Sequence, residues 1–260
     1  RRLPSLREDP GTKLAGKITA LFDVRRQLWR GIAYQENPQQ NERRAAREML
    51  DYVPKGSLLL TDLGYFGFQW FDDLTQAGLY FVSRLRKKTT FDIIEVLYQD
   101  DTVLDALVWL GSYRADRARF SVRLIQYYHN GVQRSFITNV LDPRLLSLSE
   151  IAMAYARRWD IEMMFNLIKT HLKLHLLWSS KLTVVLHQVF AVFTIAQVIL
   201  GLRSDIANQA KAEPFEVSLD LLVRWVPRFA ADGLDPVATI VERGRLAGFI
   251  RPSSRLKLSL

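Results

Sequence analysis

A chain of 260 residues, 48% of them hydrophobic, is long enough for one large domain or two smaller ones and buries a sizeable core, which excludes a disordered chain. Its 36 lysines and arginines against 27 acidic residues give a formal charge of +9, a balance that favours a polyanionic partner such as nucleic acid. The absence of cysteine excludes disulfides and thiolate zinc sites, and four scattered histidines disfavour a histidine-based metal site, so any metal would have to sit on carboxylates.

Residues 1–13 hold Pro4, Pro10 and Gly11 among basic side chains and read as a tail. Residues 17–23 and 27–34 read as two strands of a short antiparallel hairpin. After Pro38, residues 41–52 read as a helix with Asn41 as its cap and Ala45, Met49 and Tyr52 on one face, ended by Pro54 and Gly56. Ser57-Leu58-Leu59-Leu60 is a short apolar run of the kind expected for a strand buried on both faces, and Thr61-Asp62-Leu63-Gly64 follows its carboxyl end. A helix over 68–76 and a strand over 79–85 complete the order of a mixed α/β sheet.

From 86 to 141 the pattern turns β-rich, with 118–128 and 132–140 flanking Asn130-Gly131, the strongest short hairpin signal. Ser147 or Ser149, with Glu150 close by, opens a long helix that carries residues 155–169. Residues 182–202 are long and apolar enough to span a bilayer, but His187, Gln188 and Gln197 interrupt them, so they read as a buried core helix of a soluble protein. The last part holds one amphipathic helix, 219–226, stopped by Pro227, and an end studded with Arg243, Arg245, Arg251, Arg255 and Lys257. The expected divisions are 1–85, an insertion over 86–141, 142–204, and a basic helical region over 205–260.

On one continuous helix, Tyr155, Arg158, Glu162 and Lys169 point within an arc of roughly 60°, so a single face carries two cations, a carboxylate and a phenol. Ile161, Met164, Phe165, Ile168 and Leu172 fall on another sector at core spacing. Phosphoryl transfer on two metal ions needs carboxylates converging from different elements, and Asp62 meets the positional requirement at a strand end, where sites in open α/β sheets gather. Taken alone, Asp62 reads rather as the start of a turn and Glu162 as half of a surface pair with Arg158.

The set Y-x2-R-x3-E-x6-K formed by Tyr155, Arg158, Glu162 and Lys169, with Trp159, Ile161 and Phe165 in place, resembles the signature of DDE transposases of bacterial insertion sequences, the YREK subclass of the retroviral-integrase superfamily. The segment SLLLTDLGYFGFQWFDDL resembles the second-aspartate region of that family. The resemblance implies a ribonuclease-H-like α/β fold with a β-rich insertion before the glutamate helix. It implies catalysis and metal binding by Asp62 and Glu162 on two Mg²⁺ or Mn²⁺ ions, and DNA contacts by Tyr155, Arg158 and Lys169, with Trp159 stacking on a displaced base. Arg84 is a weaker candidate for a phosphate contact. The implied partners are the terminal inverted repeats and target DNA, engaged by a homodimer; the alternative is a non-catalytic DNA-binding relative. The family's first aspartate has no counterpart on a strand here: Asp9 lies in a turn-rich stretch and Asp23 ends a hairpin strand, so the first strand is expected upstream of Arg1 and this stretch alone is expected to be inactive.

Overall fold

The structure, a computed structural model, describes residues 16–37 and 42–252, so Asp9, Asn41, Arg255 and Lys257 lie outside the described residues. The chain divides into two compact units, Asn41–Trp159 and a second built from Arg1–Gln40 with Asp160–Leu260.

The Asn41–Trp159 unit is a six-stranded mixed sheet covered by helices. Its strands are β3 (Leu58–Thr61), β4 (Tyr80–Arg84), β5 (Phe91–Gln99), β6 (Val103–Leu110), β7 (Val122–His129) and β8 (Val132–Thr138), in spatial order β3-β4-β8-β7-β6-β5. Only β3 and β4 run parallel; the other neighbours are antiparallel. Adjacent residues on one strand feed opposite cores, as a period of two requires. Phe81, Leu124 and Ile137 pack with Trp70, Phe71 and Leu74 of α2 (Phe68–Gln76), while Val82, Ile125 and Phe136 pack with Ile151 and Tyr155 of α3 (Leu148–Ala156). Over its central strands both sheet faces are therefore buried, the α/β architecture expected of a ribonuclease-H-like fold.

Local chemistry accounts for several boundaries. Asn130 and Gly131 take φ of 50° and 73°, the paired positive values of a two-residue hairpin turn between β7 and β8. Ser147 caps α3: its hydroxyl accepts from the Glu150 backbone, while the Glu150 carboxylate accepts from the Ser147 hydroxyl and the Ser147 N–H, which hold the Glu150 carboxyl below its usual range.

Other features depart from expectation. Among the described residues β3 is an edge strand paired with β4 alone, with Leu58 exposed and Leu59 and Leu60 half-buried. The four strands β5 to β8 continue the same sheet, since β8 pairs with β4. Helix α1 (Glu42–Glu48) gives way to a tighter 3₁₀ turn over Leu50–Tyr52, which buries Ala45 and Met49 but swings Tyr52 into solvent.

In the other unit, β1 (Lys17–Asp23) and β2 (Leu28–Gln35) pair as a separate two-stranded sheet and do not join the larger one. The hairpin packs instead on helices of its own unit: the Trp29 ring meets Phe22, Phe165 and Phe193 at centroid distances of 4.8, 5.7 and 4.9 Å. Phe165 belongs to α4 (Trp159–Asn166) and Phe193 to α5 (Leu182–Ala210). Two glutamines of α5 bind backbone of the hairpin and of the segment just ahead of α5. Gln197 accepts from Trp29 N–H and donates to the Gln27 carbonyl, and the buried Gln188 accepts from Trp178 N–H and donates to the Leu176 carbonyl.

Helix α5 is long and apolar enough to cross a membrane by length and composition. Its buried stripe, Val185, Val189, Val192, Phe193 and Ala196, forms core, but it is not buried all round: Phe190, Ile195 and Val198 are about half exposed on the opposite side. Helix α6 (Leu219–Ala231) runs through Pro227, which forfeits one backbone donor but does not stop a helix whose apolar stripe is packed. Asp235 caps a further helix, α7 (Pro236–Arg243), with Pro236 at its first position.

The strongest polar constraint inside the sheet is Arg123 on β7. It is 1% exposed, grips both Asp105 oxygens at 2.7 and 2.6 Å, and donates to the Leu146 carbonyl just ahead of the α3 cap. Arg123→Met leaves the Asp105 carboxylate buried without its partner and is expected to cost about 3–5 kcal/mol. The double change with Asp105→Leu is expected to recover most of it, read as urea midpoints at constant m-value.

Candidate active site

The parallel strands β3 and β4 end at the same edge of their sheet, and the residues at that edge form the site. Asp62 follows Thr61 directly. Its Oδ1 accepts from Leu63 N–H at 2.7 Å and opens a 3₁₀ turn, Leu63–Tyr65. Its Oδ2 lies 3.8 Å from Arg158, with the Asp62 side chain 56% exposed. Asp62 thus starts a turn, as its sequence context allows, and also presents one oxygen toward a cation. An ion pair of that length at a half-exposed carboxylate contributes at most about 1 kcal/mol to stability. Its significance is position: a carboxylate held by its turn, beside an arginine whose side chain is 13% exposed.

Arg158 is placed by aromatic rings. Its guanidinium lies 5.7 Å from the Tyr155 ring centroid and 5.2 Å from that of Trp159. Tyr155 in turn packs on Phe136 of β8 at 5.0 Å, anchoring the end of α3 to the sheet. The Tyr155 hydroxyl is buried without a well-formed hydrogen bond. Burial raises its pKa above the usual tyrosine range; Asp62 adds to that rise, while Arg158 and Arg84 oppose it. Those influences place Arg84, at the end of β4, in the same cluster. Trp159 is 57% exposed and available to a partner.

The continuous helix expected over 155–169 is broken. Helix α3 ends at Ala156, the Arg157 and Arg158 N–H groups close short bonds to Ala154 and Tyr155 carbonyls, and α4 starts at Trp159. No glycine or proline marks the place. The break separates two buried stripes that serve different cores: Ile151 and Tyr155 belong to the six-stranded sheet, Met164, Leu167 and Ile168 to the other unit. A π-helical turn, Leu167–His171, then carries Lys169, whose carbonyl is met by the His175 ring. The four residues therefore do not share the face of one helix. The structure gathers Asp62, Arg84, Tyr155, Arg158 and Trp159 on one unit, and carries Glu162 on α4 and Lys169 on the π turn in the other.

Asp23 is committed elsewhere. Burial alone would raise its pKa, but hydrogen bonds from the Arg26 N–H and the Arg30 side chain outweigh that and hold it below the usual carboxylate range. Arg86 went unnoticed in the sequence; its guanidinium donates to the Leu63 carbonyl and lies 5.1 Å over Phe66, bracing the turn that Asp62 opens.

A family model described as the transposase DDE domain matches residues 9–198. The chain belongs to this family. No curated protein matches the sequence. Members of the DDE family generally use divalent metal ions and act on DNA. Among the described residues no three carboxylate, histidine or cysteine side chains assemble as a metal cage. Asp62 nevertheless fits as one ligand of a hard cation, because it offers an accessible carboxylate oxygen fixed by a backbone hydrogen bond.

Since the buried Tyr155 hydroxyl makes no well-formed bond, Tyr155→Phe is expected to leave stability unchanged or raise it by about 1 kcal/mol, measured by thermal unfolding without metal. A clear loss would show that the hydroxyl's approach to Arg158 contributes to stability.

Proposed function

We propose that this chain is the catalytic domain of a DNA transposase of the YREK subclass, acting on the ends of a bacterial insertion sequence, with Asp62 and Glu162 as two of its metal-binding carboxylates. The observation that carries the reading is the cluster at the carboxyl ends of β3 and β4, where Asp62 stands beside Arg84, Arg158 and Tyr155. A carboxylate beside the Arg158 guanidinium, with Arg84 at the end of the neighbouring strand, suits a phosphodiester whose negative charge must be balanced while a metal occupies the carboxylate.

Magnesium or manganese ions, when bound, supply charge neutralisation and a more acidic water or hydroxyl. The chain's own residues bind and orient. Arg158, held between two rings, and Arg84 take the phosphate oxygens, Lys169 adds charge from its π turn, and Trp159 offers a face to a base released from the duplex. Tyr155 helps to place Arg158 through its ring. In the reaction water attacks the phosphorus at the element's end and the 3′ oxygen leaves. That 3′ hydroxyl then attacks a target phosphodiester and displaces the target's own 3′ oxygen, so the number of phosphodiester bonds is conserved in the joining step. Exposed Arg243, Arg245 and Arg251 are available for further backbone contacts, and pairing of two element ends calls for two copies on DNA.

Asp62→Asn and Glu162→Gln are each expected to lower the protein's Mg²⁺-dependent cleavage of element-end DNA by at least about a hundred-fold, with DNA binding retained. Unchanged cleavage by either variant would refute the assignment, and binding without metal-dependent cleavage in the unaltered protein would make it a non-catalytic relative.

A further inference from the structure

The loop from Gly111 to Phe120, between β6 and β7, carries an aromatic residue whose presence stability does not explain. A turn closed by Arg114 N–H on the Gly111 carbonyl, 3.0 Å, puts Tyr113 at φ 63°, the left-handed region where glycine is unstrained and a tyrosine is costly. The side chain gains nothing in return, because Tyr113 is fully exposed.

The rest of the loop is firmly built. The buried Asp72 carboxylate accepts from the Arg119 and Phe120 N–H groups, the Trp109 indole donates to the Ala118 carbonyl at 2.7 Å, and the Thr90 hydroxyl donates to the Ser112 carbonyl. A strained, bare aromatic on a well-anchored loop is placed to meet a partner.

The surroundings indicate what kind. Arg114, Arg117 and Arg119 are exposed on this loop, with Asp116 balancing Arg114 through two bonds of 2.8 and 3.0 Å. Arg114 also lies 5.5 Å over Phe68, the first residue of α2, six positions beyond Asp62. Between the two, Arg43 crowds Gly67 so closely that a Cβ there would stand 2.6 Å from its guanidinium, and Arg86 covers Phe66 and Leu63. Arginines thus follow the backbone from the Asp62 site to the loop, all within one unit.

We propose that this loop is a second DNA contact, reached along that arginine track, which binds an unpaired nucleotide: Tyr113 stacks on the base and Arg117 and Arg119 take the flanking phosphates. The proposal rests on the transposase reading and assigns it a site for a splayed DNA end.

The test uses the full chain with two labelled probes, a blunt DNA duplex and the same duplex with a short 3′ single-stranded overhang, followed by fluorescence anisotropy. Tyr113→Gly is expected to melt at the same or a higher temperature, since strain is relieved, and to bind the overhang about ten-fold more weakly with the blunt duplex unchanged. Tyr113→Phe is expected to match the wild type on both probes. Arg117→Gln with Arg119→Gln is expected to weaken both and to lower the log–log salt slope by about two. Equal overhang binding by Tyr113→Gly, or a lower melting temperature, overturns this proposal and leaves the transposase reading standing. A wild-type chain that binds neither probe overturns both.

Discussion

Parallel pairing of β3 with β4 forces the chain to cross back over the sheet before the second strand can run alongside the first, and α2 is that crossover. The consequence is that Thr61 and Arg84 finish at one edge, so the residue after the first strand and the last residue of the second lie at neighbouring strand ends. The turn opened by Asp62 exists because the chain must leave β3 and enter α2 within six residues. The carboxylate is committed to that turn by one oxygen and offers the other outward. Everything assigned to the site, including the guanidinium that faces it, depends on this edge.

The six-stranded sheet supplies the second requirement, a rigid support for Arg158. Phe136 on β8 receives Tyr155, Tyr155 and Trp159 flank Arg158, and Arg123 ties the start of α3 to the sheet through Leu146. The end of α3 is therefore held at its cap and at its last turn. The helical break that follows lets the chain leave this core and begin another, where Met164, Leu167 and Ile168 are fully buried. In that second core the polar residues of an otherwise apolar helix, Gln188 and Gln197, serve as backbone partners for a loop and a hairpin. Their cost in a bilayer is the same property that makes them useful here: each needs a hydrogen-bonding partner wherever it is buried.

Signals confined to a few neighbouring residues could be read directly. Asn130-Gly131, the Ser147–Glu150 capping box, the helix over Phe68–Gln76 and the position of Asp62 after an apolar run all follow from local steric and hydrogen-bonding rules. Long-range pairing left no such mark. The order that sets β8 against β4 joins segments about fifty residues apart, and from it follow the exposed edge of β3 and the continuity of the insertion with the core sheet. Tyr52, the passage of α6 through Pro227 and the break at Arg157 and Arg158 are tertiary outcomes that override propensity. Asp72 and Tyr113 were invisible for a different reason: a buried carboxylate that anchors a loop and a strained tyrosine at its tip look, in sequence, like ordinary surface residues.

The central proposal is that Asp62 and Glu162 serve one metal site. Ferrous iron in place of magnesium, followed by ascorbate and peroxide, cleaves the backbone beside its ligands and locates them by fragment mass. The account predicts cuts next to both Asp62 and Glu162, with both sets lost on Asp62→Asn. Cuts near Asp62 alone, with the chain around Glu162 untouched, would contradict it.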